Sequence, residues 1–419
     1  MQTKQRNTLS RKLPTAIAAL ASLAFVPDAA HAADTITEAL TGGKTTANLR
    51  YRYESVNEKG NGKLAASAST VRLRLGYETA DFNGFGAMVE AEHLTALGSQ
   101  NYNSLANGKT TYSTVADPEF TEINQAYLSY NGLLKTALKY GRQRLVLDNQ
   151  RFVGDVGWRQ NAQTFDALSM VNDSVPDTKI TLAYINNVNR IFSNNALATS
   201  GAAAGNFKLR APIVNVNYKG FGLGEIVGYG YLLDFTLPAN AGNSTKTYGL
   251  RFNGKTAMGD NTLLYTAEYA RQSNYKSNPT NYRVNYTFLE GGVDIKSAVF
   301  KVGYEVLGSD GIKSFATPLA TLHAFNGWAD MFLGTPATGL KDTYLSAGTA
   351  LAGVKLGAVY HDFRADSGGG KYGTEWDLVA TKAFDKNYVL GLKYGGFSSA
   401  SVPTRVDTNK VWLWAEAKF

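Results

Sequence analysis

Thr45-Thr46-Ala47-Asn48-Leu49-Arg50-Tyr51-Arg52-Tyr53-Glu54-Ser55-Val56 alternates between two kinds of side chain. Leu49, Tyr51 and Tyr53 fall on one face. Asn48, Arg50, Arg52 and Glu54 fall on the other. A period of two over such a length reads as a β-strand with one apolar and one polar side. Thr70–Thr79 repeats the pattern, with Val71, Leu73, Leu75 and Tyr77 opposite Arg72, Arg74 and Gly76. Comparable runs recur along the chain, from Phe85–Thr95 through Thr245–Thr256 to Asn409–Phe419. They number about eighteen, an even count of the kind that single-chain bacterial barrels require.

The connections between these runs alternate in length. Short turns stand at Asp81–Gly84, Asn131–Leu133, Lys219–Gly222, Met258–Asn261, Leu351–Gly353 and Asp385–Asn387. Many carry the Asn, Asp and Gly of tight hairpins. Longer stretches lie between them, at Leu97–Glu119, Val146–Gln163, Arg190–Phe207 and Gly308–Lys341. Short periplasmic turns alternating with long extracellular loops predict an all-β, transmembrane antiparallel barrel with both chain ends on the periplasmic side.

Composition agrees with that class. The chain has 419 residues, no cysteine, 42 glycines and 24 tyrosines, with 18% charged residues and a mean hydropathy of −0.22. The absence of cysteine excludes disulfides, thiolate metal sites and a thiol nucleophile. No apolar run reaches the length of a membrane-spanning helix. Lys4, Arg6, Arg11 and Lys12 precede an apolar stretch from Leu13 to Val26, and Ala30-His31-Ala32 follows. This order predicts a signal peptide over residues 1–32 and one barrel domain over 33–419. Removing those residues lowers the formal charge from +8 to about +5, without the clustered basic stripe of a nucleic-acid binder.

Tyr77, Tyr130, Tyr140, Tyr218 and Tyr304 sit near strand ends, as an interfacial aromatic girdle would. The last run, Val411-Trp412-Leu413-Trp414-Ala415-Glu416-Ala417-Lys418-Phe419, keeps the alternation to its final residue. A terminal Phe419 on such a strand resembles the signal read by the barrel-assembly machinery. The expected surroundings are outer-membrane lipid and lipopolysaccharide.

With the apolar face toward lipid, the opposite face lines the interior. Parity assigns Arg50, Arg52, Arg72, Arg74, Arg251, Arg283, Lys301 and Lys393 to it, with Glu90, Glu92, Glu305, Glu375, Asp377 and Glu416. Arg50, Arg52, Arg72 and Arg74 stand on neighbouring strands. Their planar, permanently charged forks either favour anions in a pore or pair with lumen carboxylates and brace the wall.

Two stretches stand apart. Gly141-Arg142-Gln143-Arg144 opens a segment that holds Asp148, Arg151, Asp155, Trp158 and Arg159. Phe325-Asn326-Gly327-Trp328-Ala329-Asp330-Met331-Phe332-Leu333-Gly334-Thr335-Pro336 precedes Gly339-Leu340. These stretches resemble the alginate-export family of outer-membrane barrels. The resemblance implies an eighteen-stranded pore with an arginine-lined constriction that passes an anionic polysaccharide. It carries Arg142, Arg144, Asp148, Arg151 and Arg159 over as constriction residues. Gly308–Lys341 either folds inward to narrow the channel or packs as a surface loop.

An enzyme is not expected. His93, His323 and His361 lie in no hydrolase frame, and the Glu90/Glu92 and Glu375/Asp377 pairs simply share strand faces. No cofactor or metal is expected. The reading is a passive outer-membrane channel for anionic solutes, either an anionic polysaccharide or sugar acids such as oligouronates. A general or small-anion porin is the rival, and an adhesin built on the long loops a more distant one.

Overall fold

The computed structural model describes residues 33–419 except 200 and 401–404. The expected signal peptide lies outside the described residues. Eighteen antiparallel strands form a single sheet. They are β1 (Lys44–Glu58), β2 (Ala66–Glu78), β3 (Phe85–Asn101), β4 (Phe120–Leu133), β5 (Thr136–Gln143) and β6 (Thr164–Asn172). Next come β7 (Thr178–Asn189), β8 (Asn206–Tyr218), β9 (Glu225–Phe235), β10 (Thr245–Met258), β11 (Asn261–Asn274) and β12 (Arg283–Asp294). The last six are β13 (Ala298–Leu307), β14 (Leu340–Leu351), β15 (Val354–Arg364), β16 (Lys371–Phe384), β17 (Tyr388–Ser399) and β18 (Thr408–Lys418).

Each strand pairs with its chain neighbours, and β1 pairs with both β2 and β18. The β1–β18 seam runs from Asn48↔Lys418 to Glu58↔Thr408. It removes the two open edges that a membrane could not hydrogen-bond. Phe419 extends the seam, exchanging main-chain hydrogen bonds with Ala47. Both described ends lie on the short-turn side, where the main-chain N–H of Ala33 donates to Asp81 in the β2–β3 turn.

The alternation read from the first two strands holds. Leu49 and Leu75 stay exposed on the outer wall, while Arg50, Arg52, Arg72 and Arg74 are buried inside. The outer wall is apolar elsewhere as well, with Leu128, Leu250, Leu345 and Leu413 all exposed. Those side chains face lipid.

Two features depart from a plain barrel. A six-residue helix, α1 (Ile36–Thr41), precedes β1 and carries a capping box between Thr35 and Glu38. The interior also holds an apolar core. Phe207, Leu209, Ala211 and Ile213 of β8 point inward, as do Tyr229, Leu233, Val284 and Tyr286 on neighbouring strands. This wall is apolar because two connections fold back into the lumen and pack against it. Phe152 of the β5–β6 loop (residues 144–163) lies among Tyr229, Tyr231, Tyr286 and Phe315, with ring centroids 5.1–5.9 Å apart. Phe332 of the β13–β14 loop (residues 308–339) packs on Phe363, Tyr372 and Phe397. The long connection left open by the sequence therefore turns inward.

Candidate functional site

The β5–β6 loop crosses the lumen because the wall supplies donors for its main chain. Arg50 donates to the Gln160 side chain (2.9 Å), to Gly157 O (3.3 Å) and to Arg159 O. Arg52 donates to Trp158 O and lies 4.3 Å over the Trp158 ring. Arg72 and Arg74 each reach Gln160 O at 3.3 Å, and Arg74 also binds Glu92 at 2.6 Å. The four arginines are thus brought together. Their guanidinium groups hold carbonyls of the loop, the interaction available to a fixed fork of N–H donors.

The carried-over residues divide by environment. Arg151 is 2% exposed, donates to Glu305 (2.7 Å) and Asn326 (2.9 Å), and lies under Phe325. Arg159 holds Glu54 through two N–H groups at 2.6 and 3.2 Å, with Asp117 at 3.5 Å. Both tie the loop to the wall. Arg144 and Asp148 face open space instead. Arg144 keeps 28% of its side chain exposed, with Glu90 at 3.5 Å and Asp155 at 3.7 Å. Its Nε is buried without a hydrogen-bond partner.

Two assignments are corrected. Arg142 pairs in register with Ala126 and shares a face with Tyr140, which is 66% exposed. That is the outer face, where Arg142 binds Asp166 at 3.0 Å. Arg283 alternates with Val284 and Tyr286, both buried in the interior, and is itself exposed on the outer wall. Its phase was inverted because apolar residues on this strand face the inward loops rather than lipid. Arg251 does face the interior, bonded to Asn253 (2.7 Å) and 3.4 Å from Glu268.

The β13–β14 loop is fixed by acids of the wall. Asn326 donates to Glu305 (2.6 Å) and Asp342 (3.1 Å). The main-chain N–H groups of Trp328 and Ala329 donate to Asp377 (3.1 Å) and Glu375 (2.6 Å). Gly327 makes this approach feasible, since its φ is +85° and a Cβ would lie 2.4 Å from Glu375 Oε2. Lys393 sits between the rings of Trp158 (4.3 Å) and Trp328 (3.6 Å), and 2.8 Å from His323 Nε2. Burial, with the nearby Lys393 and Arg159 cations, pushes His323 down to about 3 despite Asp330, so its ring is neutral at working pH. Asp330 in turn bonds Lys410 at 2.7 Å.

The two loops also hold each other. Thr321 Oγ1 donates to Gln150 (2.6 Å) and accepts from the main-chain N–H of Val156 (3.0 Å). Val156 has φ +49°, and Asp148 and Gln150 are also left-handed. A β-branched residue in that region is strained and persists only where surrounding contacts fix it.

Sequence reading missed the partners that make this lock: Asp117, Gln160, Asn326, Trp158 and His323. Glu54 and Lys393 were legible as inward residues, but their partners Arg159 and His323 lie 105 and 70 positions away, respectively. Only folding brings them together.

Two cavities flank the β5–β6 loop. One, of about 540 Å³, is lined by Lys139, Arg144, Lys179 and Arg251 against Asp148 and Glu225. The other, of about 550 Å³, is lined by Arg50, Arg72, Arg74, Arg144 and Lys418 against Glu90 and Glu416. Arg144 belongs to both. A third, near Lys301, is lined by Glu290, Glu305 and Asp342 and is the acidic one.

A closed eighteen-stranded barrel with loops folded into its lumen is the architecture of an outer-membrane channel. The family model for alginate export matches residues 44–293, and the chain belongs to that family. It is similar to Pseudomonas aeruginosa OpdK with vanillate (TM-score 0.71, 13% identity, 90% of this chain and 98% of that one). It is also similar to Acinetobacter baumannii OccAB4 (0.69, 12%, 90% and 97%) and Pseudomonas aeruginosa OccD3 (0.68, 14%, 93% and 93%). At such identities the likeness is one of fold. No curated protein matches. The protein belongs to the bacterial outer membrane, and its family and fold are those of transport porins rather than enzymes.

Proposed function

We propose that this protein is a passive channel for small organic anions, with sugar acids and short oligouronates as the solute class. The carrying observation is Arg144. It lines both cavities beside the inward loop, and 28% of its side chain stays exposed to them. A carboxylate passing from one cavity to the other meets that fork. The bases outnumber the acids in both cavities, which favours anions over the whole passage. Chambers near 550 Å³ suit a solute of one or two sugar units better than a bulky polymer in random conformation.

The family match favours a second reading, passage of an extended anionic polysaccharide. That reading requires the β13–β14 loop to leave the lumen.

The test is the reversal potential of the refolded barrel in a planar bilayer under a salt gradient, with oligouronates added as blockers. Arg144→Gln is expected to lower the anion-to-cation permeability ratio. One charge about 8 Å from the solute, at an effective dielectric near 40, contributes roughly 1 kcal/mol, a factor of about 5. Unchanged selectivity, or cation preference in the unmodified barrel, overturns the reading.

Asp148 supplies a pH dependence. Burial pushes its carboxyl above the ordinary range, against the opposing hydrogen bond from Asn215 and the charge of Arg251. As pH falls from neutral, Asp148 takes up its proton before ordinary carboxylates do, and the cavity loses a negative charge. Anion preference should therefore rise as the pH is lowered, ahead of the change that ordinary carboxylates produce. Asp148→Asn should start at the higher preference and flatten this part of the profile. A variant whose profile matches the unmodified barrel's would exclude Asp148 from the pathway.

A further inference from the structure

The outer wall carries a second charged feature, unrelated to the lumen. Lys208 and Arg210 of β8, Lys246 of β10, Arg271 of β11 and Arg283 of β12 all point outward and are exposed. All five stand near the long-loop ends of their strands. Lys246 and Arg283 both pair in register with Ser273, one from each side. Arg271 lies one outward step below, between Tyr248 and Asn285. With strands about 4.8 Å apart, Lys246 and Arg283 stand about 10 Å from each other, and Arg271 completes a triangle.

Among the described residues, none of these five bases has a carboxylate within ion-pair distance. The acids nearby are otherwise engaged. Asp234, in register with Arg210, is 4% exposed and accepts from Ser277 Oγ at 2.5 Å. Asp310 accepts the main-chain N–H groups of Ile312 and Lys313 at 3.0 and 2.9 Å. The sector of β14–β16 is different. There Lys341, Arg364 and Lys371 each pair with Asp366 or Asp362.

The height of the patch is set by the wall beneath it. Met258, exposed at the short turn, and Tyr248 are ten residues apart on one strand face. At about 3.4 Å per residue and a tilt near 40°, that is roughly 26 Å, the height of an outer-membrane apolar band. Tyr248 and Tyr269, both about half exposed, mark its outer girdle. Lys246 and Arg271 follow each of them by one outward step, at the level of lipid headgroups.

We propose that Lys246, Arg271 and Arg283, flanked by Lys208 and Arg210, form a lateral site for the phosphates of an outer-leaflet glycolipid. The acyl chains would lie along Tyr248, Leu250, Tyr269 and Leu289. Two guanidinium forks and an ammonium spaced for a diphosphorylated headgroup supply the recognition. The unmatched charge explains why the bases remain unpaired where the opposite sector neutralises its own.

The test uses the full mature barrel in detergent, with bound lipid counted by native mass spectrometry. Probes are a diphosphorylated lipid A, the same lipid after phosphate removal, and inorganic phosphate. The unmodified barrel should retain the diphosphorylated lipid and lose most retention with the dephosphorylated one. Millimolar inorganic phosphate should neither bind nor compete. The triple variant Lys246→Gln, Arg271→Gln, Arg283→Gln should bind on the order of 100-fold more weakly. Lys341→Gln, Arg364→Gln, Lys371→Gln should leave binding unchanged. Heat-modifiable gel mobility checks that each variant is folded, and the lipid comparison on the unmodified barrel stands without any variant. Equal retention of both lipids overturns the proposal, as does competition by free phosphate. A dimer that buries the patch with no change in lipid count also overturns it.

Discussion

A barrel whose residues 322–335 are replaced by a short Gly/Ser linker is expected to conduct roughly three- to ten-fold more current than the unmodified protein. A barrel of 16–18 strands encloses an aqueous channel when nothing fills it. Here the filling is chain, and much of it is the β13–β14 loop. That segment carries His323, Asn326, Trp328, Ala329, Asp330 and Phe332, each fixed to the wall by contacts described above. The replacement spares Phe315 and Leu319, which are buried with Phe152 and hold the β5–β6 loop in place. It also leaves the Arg151–Glu305 pair intact. Glu375 and Asp377 lose their main-chain donors, but water entering the widened lumen solvates them. The interstrand ladder, which no residue of the segment joins, is untouched. Single-channel recording of the refolded variant is the check. Conductance equal to that of the unmodified barrel would mean that the loop is not the obstruction. In that case the polymer-export reading would lose its gate.

How much of this was legible depends on which contacts are local. All eighteen strands announce themselves, because alternation is a property of neighbouring residues and of nothing else. Arg50, Arg52, Arg72 and Arg74 could be placed inward for the same reason. Arg283 could not. Its neighbours Val284 and Tyr286 are apolar, and the rule that apolar means lipid fails where an inner wall packs against folded-in chain. Arg142 was placed in the constriction by resemblance, whereas the alternation of its own strand puts it on the Tyr140 face. The inward course of residues 308–339 was undecidable from sequence. Its anchors, Glu305, Asp342, Glu375, Asp377 and Lys393, lie on four different strands, and no spacing announces them. The same limit hid the role of the arginine wall. A row of guanidinium groups reads identically whether it will meet a solute or, as with Gln160 O and Trp158 O, the carbonyls of a loop.

Arg159→Ala should be the most destabilising single substitution in the β5–β6 loop, at about 3–5 kcal/mol. Its guanidinium forks both oxygens of Glu54, which is fully buried, and stands 3.5 Å from Asp117, which is 1% exposed. Removing it leaves Glu54 without its cation. Asp117 keeps Arg52 at 3.7 Å and the main-chain N–H of Gln160 at 3.1 Å. An uncompensated buried carboxylate costs far more than a lost surface pair. Arg142→Ala therefore serves as the contrast. Its pair with Asp166 is partly exposed on the outer face, and the loss should stay below about 1 kcal/mol. The double variant Glu54→Leu, Arg159→Met removes both charges while keeping the volume, and should recover much of the stability. Urea unfolding of the barrel in lipid vesicles measures all four proteins. Near-equal losses for Arg159→Ala and Arg142→Ala would show that water reaches Glu54. In the predicted order of losses, the fork at residue 159 is what keeps the loop, and with it Arg144, across the lumen.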